Sequence, residues 1–328
     1  MSNILITGCC GFIGYHLTKK LINFKNTKII GVDSLNRYYS IKLKKDRLKK
    51  IKKKNFLFLK KDLSNKKECE EIISEHKPNI IFHLAAQPGV TYSFTNPESY
   101  IKNNILATNN IVKTIKKNNY KVKKFIFCSS SSVYGPQKEY PIKENSKLNP
   151  INPYAKTKKK CEKLIKSNFS KNKNIKDYII LRLFTVYGPY GRPDMLILKL
   201  LSALEKKKKI SLYNFGNYLR DFTYIDDVVN VFIKILKKKI KNKIKIFNVC
   251  GSRPIKVLNI IKLIKKITKR NLDYNLLPRR KGEVNKTHGS NKKLKQILNL
   301  KKFTSFDDGI TKTYNWYKNY KYKKNLIY

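Results

Sequence analysis

The sequence predicts an α/β protein built on a doubly wound parallel sheet, with a smaller, interleaved C-terminal α/β domain. Three observations support this fold class. Short apolar runs alternate with segments of helical period through the first half of the chain. A glycine-rich turn, residues 8–14, directly follows the first of these runs. After about residue 184 this regular alternation of apolar runs and helical segments ends, and helical segments predominate.

The apolar runs predict the elements in order. Strands are expected near residues 3–7, 28–32, 55–59, 79–83, 123–128 and 177–183, with helices between them. Parallel strands joined by helical crossovers form a Rossmann-type sheet, whose ligand lies beyond the carboxyl ends of the strands. The later part predicts helix 195–207, strands near 210–213 and 222–225, helix 226–240, strand 244–249, and helices near 255–269, 290–298 and 305–321.

The charge is extreme, with 74 basic and 21 acidic residues giving +53. Taken alone, this balance would suggest a nucleic acid or an anionic membrane surface as the partner. Only nine of the basic residues are arginine, and the lysines are spread along the whole chain rather than gathered in one stripe. We therefore interpret most of them as solvated helix faces and expect no specific nucleic-acid partner.

Targeting and metal-binding signals are weak. No apolar run approaches the roughly 20 residues that span a bilayer, and the strand at 3–7 leaves no room for a signal peptide, so we expect a cytoplasmic protein without a membrane partner. The six cysteines and four histidines lack the spacing of metal ligands. We expect ordinary core thiols and no metal.

The glycine-rich turn predicts a dinucleotide site. The first strand runs into Gly8-Cys9-Cys10-Gly11-Phe12-Ile13-Gly14 and then into an amphipathic helix. Its glycines allow a tight turn, close approach of a pyrophosphate and close packing of the helix on the strand. Asp33 ends the second strand and can accept hydrogen bonds from both ribose hydroxyls, whereas it would repel a 2′-phosphate. The predicted cofactor is therefore NAD rather than NADP.

The spacing Gly-x-x-Gly-x-x-Gly resembles that of the short-chain dehydrogenase/reductase family, as do Asp62-Leu63 and His83-Leu84-Ala85-Ala86 at later strand ends. We expect His83 itself to be a packed strand-end residue. The residues assigned to the cofactor site are Gly8, Gly11, Phe12, Ile13, Gly14, Asp33, Asn36, Asp62, Leu63, Leu84, Ala85, Ala86, Asn104, Tyr154 and Lys158.

The family's catalytic signature is Tyr-x-x-x-Lys, with a Ser or Thr from the preceding strand end. Eight tyrosines of this lysine-rich chain have a lysine four residues later, so the spacing alone carries little information. Only Tyr154 also lies 24 residues beyond Ser130 and follows Asn152-Pro153 at a helix start. Ser130, Tyr154 and Lys158 are therefore the predicted catalytic residues.

The expected chemistry is proton removal by a phenol. A phenol ordinarily titrates near pH 10, so it needs a neighbouring cation to act as a base at neutral pH, and Lys158 would supply one. Tyr154 would take the proton of a sugar 4-hydroxyl, Ser130 would bind the reacting oxygen, and the sugar would become a 4-ketone. Ser131-Ser132 stand where the dTDP-glucose dehydratases carry Asp-Glu and uronate decarboxylases carry Glu. Without that extra acid or base, 4-epimerisation is the simplest outcome.

Four longer segments look like those of UDP-glucuronate 4-epimerases. They are Gly31-Val32-Asp33-Ser34-Leu35-Asn36-Arg37-Tyr38-Tyr39, His83 to Ser93, Arg182 to Met195 and Arg220-Asp221-Phe222-Thr223-Tyr224-Ile225-Asp226-Asp227. The resemblance implies a UDP-sugar substrate and a homodimer pairing helices 97–118 and 153–170. It also implies a carboxylate site and a diphosphate contact; the residues we assign to the substrate are Gln87, Ser131, Ser132, Thr185, Arg192, Arg220 and Arg280.

Three positions depart from that family. Thr91 stands where these enzymes usually have arginine, Lys199 replaces a usual aromatic residue, and Pro278-Arg279-Arg280-Lys281-Gly282-Glu283 is more similar to the segment of UDP-galactose 4-epimerases. A UDP-glucose or UDP-N-acetylhexosamine 4-epimerase is the alternative within the same class. A non-catalytic NAD-binding protein and a basic nucleic-acid-binding protein are the alternatives from other classes.

The predicted domains are interleaved along the chain. Residues 1–183 and 222–252 are expected to form the NAD-binding domain, and residues 184–221 and 253–328 the nucleotide-sugar-binding domain. No Gly/Ser-rich linker separates them. The active site is therefore expected between two parts that share an interface.

Overall fold

A seven-stranded parallel sheet organises the computed structural model, which describes residues 2–51, 53–240 and 244–320. The strand order is β10-β6-β5-β4-β1-β2-β3. The order changes direction between β1 and β4, where a crevice opens beyond the carboxyl ends of the strands. The predicted fold class is confirmed. These strands are β1 (Ser2–Thr7), β2 (Thr27–Val32), β3 (Phe56–Leu59), β4 (Ile80–His83), β5 (Val122–Ser130), β6 (Ile175–Leu183) and β10 (Ile244–Val249).

The central strands are buried on both faces, which explains their nearly continuous apolar sequence. Along β1, Ile4 and Ile6 pack into the core layer on one face, whereas Leu5 packs into the layer on the other. All four residues of β4 are buried. The strands thus present a rigid edge from which the loops of the crevice extend.

Helices cover both faces of the sheet. The predicted helix start at Tyr154 is close to the observed one: α7 begins at Pro153, and the Asn152 side chain caps it by accepting from the Ala155 amide at 2.8 Å. A π-helical turn, Ile101–Leu106, separates α5 from α6. The helices are α1 (Phe12–Leu21), α2 (Ile41–Lys49), α3 (Lys66–His76), α4 (Tyr92–Thr95), α5 (Pro97–Tyr100), α6 (Ala107–Lys117), α7 (Pro153–Phe169), α8 (Leu196–Glu205), α9 (Ile225–Lys237), α10 (Val257–Thr268), α11 (Lys292–Leu298) and α12 (Phe306–Asn319).

Two small sheets lie beside the crevice. One has the order β11-β9-β7 and the other pairs β12 with β8 in parallel. The strand predicted at 222–225 starts earlier, at Leu219, because it pairs with β11 as well as β7. The sequence did not predict β7, β11 or β12, which are three or four residues long. These strands are β7 (Thr185–Tyr187), β8 (Ile210–Tyr213), β9 (Leu219–Tyr224), β11 (Pro254–Lys256) and β12 (Tyr274–Leu277).

The strands of the large sheet all come from residues 1–183 and 222–252. Helix 305–321 was predicted one residue beyond the described region, and its described part ends at Asn319. In the described part of the chain, no helix is both long and apolar enough to cross a membrane. The same residues contain no cluster of three potential metal ligands, and all six cysteines are buried thiols.

His83 is a packed strand-end residue, as expected. Its ring nitrogens lie 2.9 Å from the hydroxyls of Thr7 and Thr108, and the side chain is fully buried. Burial, with a smaller contribution from Lys158, lowers the pKa of His83 to about 3. The ring is therefore neutral at physiological pH and joins β4 to β1 and α6.

We predict that His83 makes folding stability sensitive to acid. Between its unfolded pKa of about 6.5 and its folded pKa of about 3, the unfolded chain holds one proton more, so stability is lost as the pH falls through this window. The loss attributable to His83 should approach about 1.4 kcal/mol per pH unit.

Thermal or denaturant unfolding of wild type and His83→Gln between pH 7 and pH 4 measures this effect. The difference between the two proteins should shrink as the pH falls. His288→Gln, which alters a partly exposed ring, serves as the control and should change the pH dependence less. Parallel stability curves for wild type and His83→Gln would contradict the assignment.

Candidate active site

One large cavity, with a volume of about 1070 Å³, occupies the crevice where the strand order changes direction. It extends from the glycine-rich turn to the loops beside the small sheets, so a single space joins the predicted cofactor and sugar sites. The predicted site residues that line it are Gly8, Gly11, Phe12, Ile13, Gly14, Asp33, Asn36, Asp62, Leu63, Leu84, Ala85, Ala86, Ser130, Ser131, Ser132, Tyr154, Lys158, Thr185, Arg192, Arg220 and Arg280.

The glycine-rich turn fits a pyrophosphate. Gly8 has a φ of +72°, and a Cβ built on it would lie 2.9 Å from the Ala85 amide nitrogen. A Cβ on Gly14 would lie only 2.0 Å from the Gly8 carbonyl oxygen. Glycine is thus required both for the turn and for the close approach of α1, whose amino end faces the cavity.

Asp33 is fixed beside this turn. Its carboxylate accepts hydrogen bonds from the Cys10 amide at 3.0 Å and from the Leu35 amide at 2.8 Å. Lys44, which sequence reasoning missed, lines the same region and donates to both the backbone and side-chain oxygens of Asn36 at 2.6 and 2.7 Å. Burial lowers the pKa of Lys44 to about 8, while Asp33 opposes that shift. In the sequence, Lys44 is one of several lysines in the helix α2, and nothing there indicates that its side chain reaches the cavity.

The three predicted catalytic residues all line this cavity. Lys158 is nearly fully buried, and its Nζ donates to the Cys128 carbonyl at 2.7 Å. This contact holds the ammonium group at the carboxyl end of β5. The Ser130 hydroxyl accepts from the Ser132 amide at 3.2 Å, and the Tyr154 ring packs edge-on against Tyr100 at 6.1 Å. The cavity is thus lined by a phenol, a hydroxyl and an ammonium group that the Cys128 carbonyl holds in place.

A buried ion pair supports this arrangement from behind. Glu162, two helical turns after Tyr154, accepts from Nε and Nη2 of Arg182 at 3.0 and 2.8 Å. It also accepts from the Ser129 hydroxyl at 2.6 Å, next to Ser130 in the chain. Burial alone would lower the pKa of Arg182, but the hydrogen-bonded carboxylate raises it. The pair therefore fixes α7 relative to β6, and the Ser129 hydrogen bond joins the same carboxylate to the end of β5.

Arg192 lies in the cavity with a partner that the sequence did not indicate. Its Nε and Nη2 meet both carboxylate oxygens of Asp194, and Tyr38 donates to the same carboxylate at 3.1 Å. Although burial would raise the pKa of Asp194, Arg192 holds it low. This pair uses one edge of the guanidinium group, so a ligand would be contacted through the other edge, formed by Nη1 and the second hydrogen of Nη2.

Two more arginines line the other end of the cavity. Arg220 donates to Glu283 at 3.2 Å and packs over the Tyr218 ring. Arg280 lies 3.6 Å above the centre of the Tyr213 ring and donates to the Thr91 hydroxyl at 3.3 Å. Thr91, where resemblance suggested arginine, is thus in contact with a guanidinium group supplied from a distant segment.

Two predicted contacts are not placed in the cavity. Asn104, assigned to the cofactor, is buried, and its side chain accepts from the Gln87 amide at 2.7 Å and donates to Thr157 at 2.9 Å. Gln87, assigned to the substrate, is also buried, and its amide group contacts Asn36 and Pro88. The Asn104 side chain thus joins the loop after β4 to α7, and the Gln87 side chain joins the same loop to Asn36 after β2. Buried polar groups require such partners.

Comparison with known proteins agrees with this geometry. The model of the NAD dependent epimerase/dehydratase family matches residues 4–250. The chain belongs to this family. A UDP-glucuronate 4-epimerase from Thermodesulfobacterium geofontis is 35% identical over 321 residues, which cover 97% of each chain.

Two solved structures are also similar. The UDP-glucuronic acid 4-epimerase of Bacillus cereus, in complex with UDP-glucuronic acid and NAD, has a TM-score of 0.90 and 32% identity, covering 96% of this chain and 99% of that one. The UDP-glucose 4-epimerase of Thermotoga maritima, with UDP-glucose, has a TM-score of 0.86 and 30% identity, covering 96% and 98%. The cofactor of this epimerase-family enzyme is NAD, in agreement with the glycine cradle and Asp33.

We predict that Tyr154→Phe lowers kcat by about 100-fold to 10,000-fold and leaves NAD bound, because the base is lost while the glycine cradle is unchanged. The measurement combines turnover of the UDP-sugar with cofactor content after purification. Tyr314→Phe is the matched control, since Tyr314 and Lys318 repeat the spacing on α12 outside the cavity. Near-normal turnover by a folded Tyr154→Phe protein would remove Tyr154 from the mechanism.

Proposed function

We propose that this enzyme interconverts the 4-epimers of a UDP-sugar with NAD as cofactor, and that the sugar is glucuronate, giving UDP-galacturonate. The observation that carries the proposal is the composition of one cavity. Ser130, Tyr154 and Lys158 share it with an arginine and three hydroxyls, Arg192, Ser131, Ser132 and Thr185. Chemistry at C4 and recognition of a carboxylate at C6 are thereby combined.

The proton transfer belongs to Tyr154. The phenol takes the proton of the 4-hydroxyl, and Lys158, held by the Cys128 carbonyl, keeps a positive charge beneath the site. Ser130 binds the reacting oxygen, with its hydroxyl oriented by the Ser132 amide. NAD, when bound, accepts the hydride from C4 and later returns it. The 4-keto sugar turns over before the hydride returns, so C4 receives the hydride on its opposite face, and Tyr154 returns the proton to the C4 oxygen.

The carboxylate site has a chemical purpose. Oxidation at C4 makes a uronate a β-keto acid, which can lose CO₂. A charge-assisted contact to Arg192, together with hydrogen bonds from the hydroxyls of Ser131, Ser132 and Thr185, would hold the carboxylate near the plane of the ketone. In that orientation the breaking bond lacks overlap with the carbonyl, so the intermediate is protected.

The second candidate substrate is a neutral UDP-hexose or UDP-N-acetylhexosamine. Two observations favour it. Arg192 is already paired with Asp194, which reduces the positive charge available to a uronate. Arg280 meets Thr91 across the cavity, in a segment that resembles the UDP-galactose enzymes. Both candidates share the same chemistry at C4, so the contact to C6, and for an N-acetylhexosamine also the contact to C2, distinguishes them.

We predict that wild type prefers UDP-glucuronate to UDP-glucose in kcat/KM, and that Arg192→Leu removes this preference. A site built to bind a charged group favours it over its neutral analogue, because Arg192 offers the carboxylate a charge-assisted hydrogen bond in addition to its pair with Asp194. The assay follows both substrates and scores any UDP-pentose, which would report loss of CO₂. A wild-type preference for UDP-glucose would overturn the choice of sugar while leaving 4-epimerisation in place.

Two controls accompany that experiment. Arg192→Leu leaves the Asp194 carboxylate without its partner, so Arg192→Leu/Asp194→Asn separates the loss of recognition from the cost of an unpaired charge. Arg270→Leu removes an arginine whose ion pair with Glu205 lies on the surface and should leave the preference unchanged.

The remaining parts of the proposal concern partners. A homodimer formed through the helices within 97–118 and 153–170 is supported by the exposed apolar side chains of Ile101 and Leu106 on that surface. We also propose a cytoplasmic location and the division into an NAD-binding and a nucleotide-sugar-binding domain, as the sequence predicts.

Any association with DNA or RNA should be weak, independent of sequence and lost at physiological salt, because diffuse lysines bind through counterion release alone. Titration of labelled DNA and RNA at roughly 0.05 and 0.2 M salt measures this. Nanomolar, sequence-selective binding at the higher salt would favour a nucleic-acid function instead.

A further inference from the structure

The loop between β7 and α8, residues 188–195, carries Arg192 and Asp194, yet it is held by side chains from the cofactor side of the cavity. His16 on α1 lies 2.8 Å from the Pro189 carbonyl oxygen. Tyr38, in the loop after β2, donates to Asp194 at 3.1 Å. The position of the loop 188–195 thus depends on α1, which follows the glycine-rich turn, and on the loop after β2, which follows Asp33.

Arg47 makes the most direct of these connections. It projects from α2 and is fully buried. Its Nη1 donates to the Cys10 carbonyl at 2.9 Å, inside the glycine-rich turn, and to the Tyr39 hydroxyl at 2.6 Å. Its Nη2 donates to the carbonyls of Tyr190 and Gly191 at 2.7 and 3.1 Å.

The geometry of this contact requires arginine. The four acceptors are neutral, and they belong to three separate segments: the glycine-rich turn, the loop after β2 and the loop that precedes Arg192. A planar guanidinium group directs its two terminal nitrogens to different segments at fixed angles, whereas an ammonium group is a single point with three rotatable donors. Burying the charge of Arg47 among neutral acceptors costs free energy. An apolar side chain would pack there at lower cost, so the arginine is better explained by its hydrogen bonds, which position the three segments.

We propose that Arg47 is a positioning residue that fixes Arg192 relative to the bound cofactor by joining the Cys10 carbonyl to the carbonyls of Tyr190 and Gly191. The proposal rests on the proposed function, in which Arg192 binds the sugar carboxylate. Gly191 directly precedes Arg192, and Cys10 directly precedes Gly11 of the pyrophosphate cradle. One side chain therefore sets the distance between the carboxylate contact and the cofactor contact.

Steady-state kinetics with two substrates test this role. Arg47→Met should raise KM for UDP-glucuronate by about tenfold, the effect of a lost charged hydrogen bond, and should change KM for UDP-glucose much less. In an Arg192→Leu background, Arg47→Met should leave the ratio of the two KM values unchanged. Arg47→Lys keeps the charge without the fork and should not restore the ratio. Equal losses for both sugars, or additive losses in the Arg192→Leu background, would show a general structural role and overturn the proposal.

Hydrogen exchange provides a readout that is independent of the sugar. In the NAD-loaded protein, Arg47→Met and Arg47→Lys should speed exchange at residues 188–194 and 8–14, with the rest of the large sheet unchanged. Tyr39→Phe is the matched control, because it removes one acceptor of Arg47 and keeps both contacts to the 190–191 carbonyls. If wild type prefers UDP-glucose, the assignment of Arg192 to the sugar carboxylate fails. Faster exchange at 188–194 would still support the connection that Arg47 makes between the two loops. Unchanged exchange at 188–194 in both Arg47 variants would overturn it.

Discussion

The close packing of α1 against the end of β1 is the constraint on which the rest of the site depends. There is no space for a Cβ at Gly14, since it would lie 2.0 Å from the Gly8 carbonyl oxygen. Only at this separation does the amino end of α1 face the crevice and the Cys10 amide reach Asp33. Cys10 also presents its carbonyl to Arg47. Any side chain at Gly14 would displace the cofactor contacts and, through Arg47, the loop that carries Arg192.

A second constraint operates on the catalytic side of the cavity. The Glu162–Arg182 pair lies in the core, where two charges are expensive unless they are hydrogen-bonded as well as paired. Here both carboxylate oxygens have donors, and one of them also receives the Ser129 hydroxyl. Removing either charge would leave the other buried. The pair, together with the Ser129 hydrogen bond, thus makes the position of α7 relative to β6 and β5 costly to alter.

The sequence predicted the parts of the molecule that local rules govern. Apolar runs gave the large sheet, and Asn152-Pro153 gave the start of α7, because strand burial and helix capping are encoded by neighbouring residues. Short strands such as β7 were missed, because three residues carry no measurable period.

The differences between the predicted and the observed lining of the cavity have a common cause. Asn104 and Gln87 were assigned to ligands, although each is consumed by contacts within the protein, and the Asp194 partner of Arg192 was not foreseen. Hydrogen bonds between residues that are distant in sequence decide whether a polar side chain faces the cavity or is buried in contacts within the protein. Lys44 is a further case, because its contact with Asn36 in the loop after β2 brings it to the cavity, and the hydrophobic period of α2 does not predict that contact.

The π-helical turn Ile101–Leu106 sets the rotational phase of the segment that follows it. A π turn contains one residue more than an α turn, so removing one residue there would restore regular helix and rotate α6 by about 100° relative to α5. The buried row of α6, which includes Ile111 and Ile115, would then leave the core, or Asn104 would leave Gln87. With the extra residue, Asn104 can face Gln87 while Ile111 and Ile115 of α6 face the core. A regular α-helix through the same residues would not place both in these directions. Variation in length is consequently far less tolerable at this turn than variation in the identity of its exposed side chains.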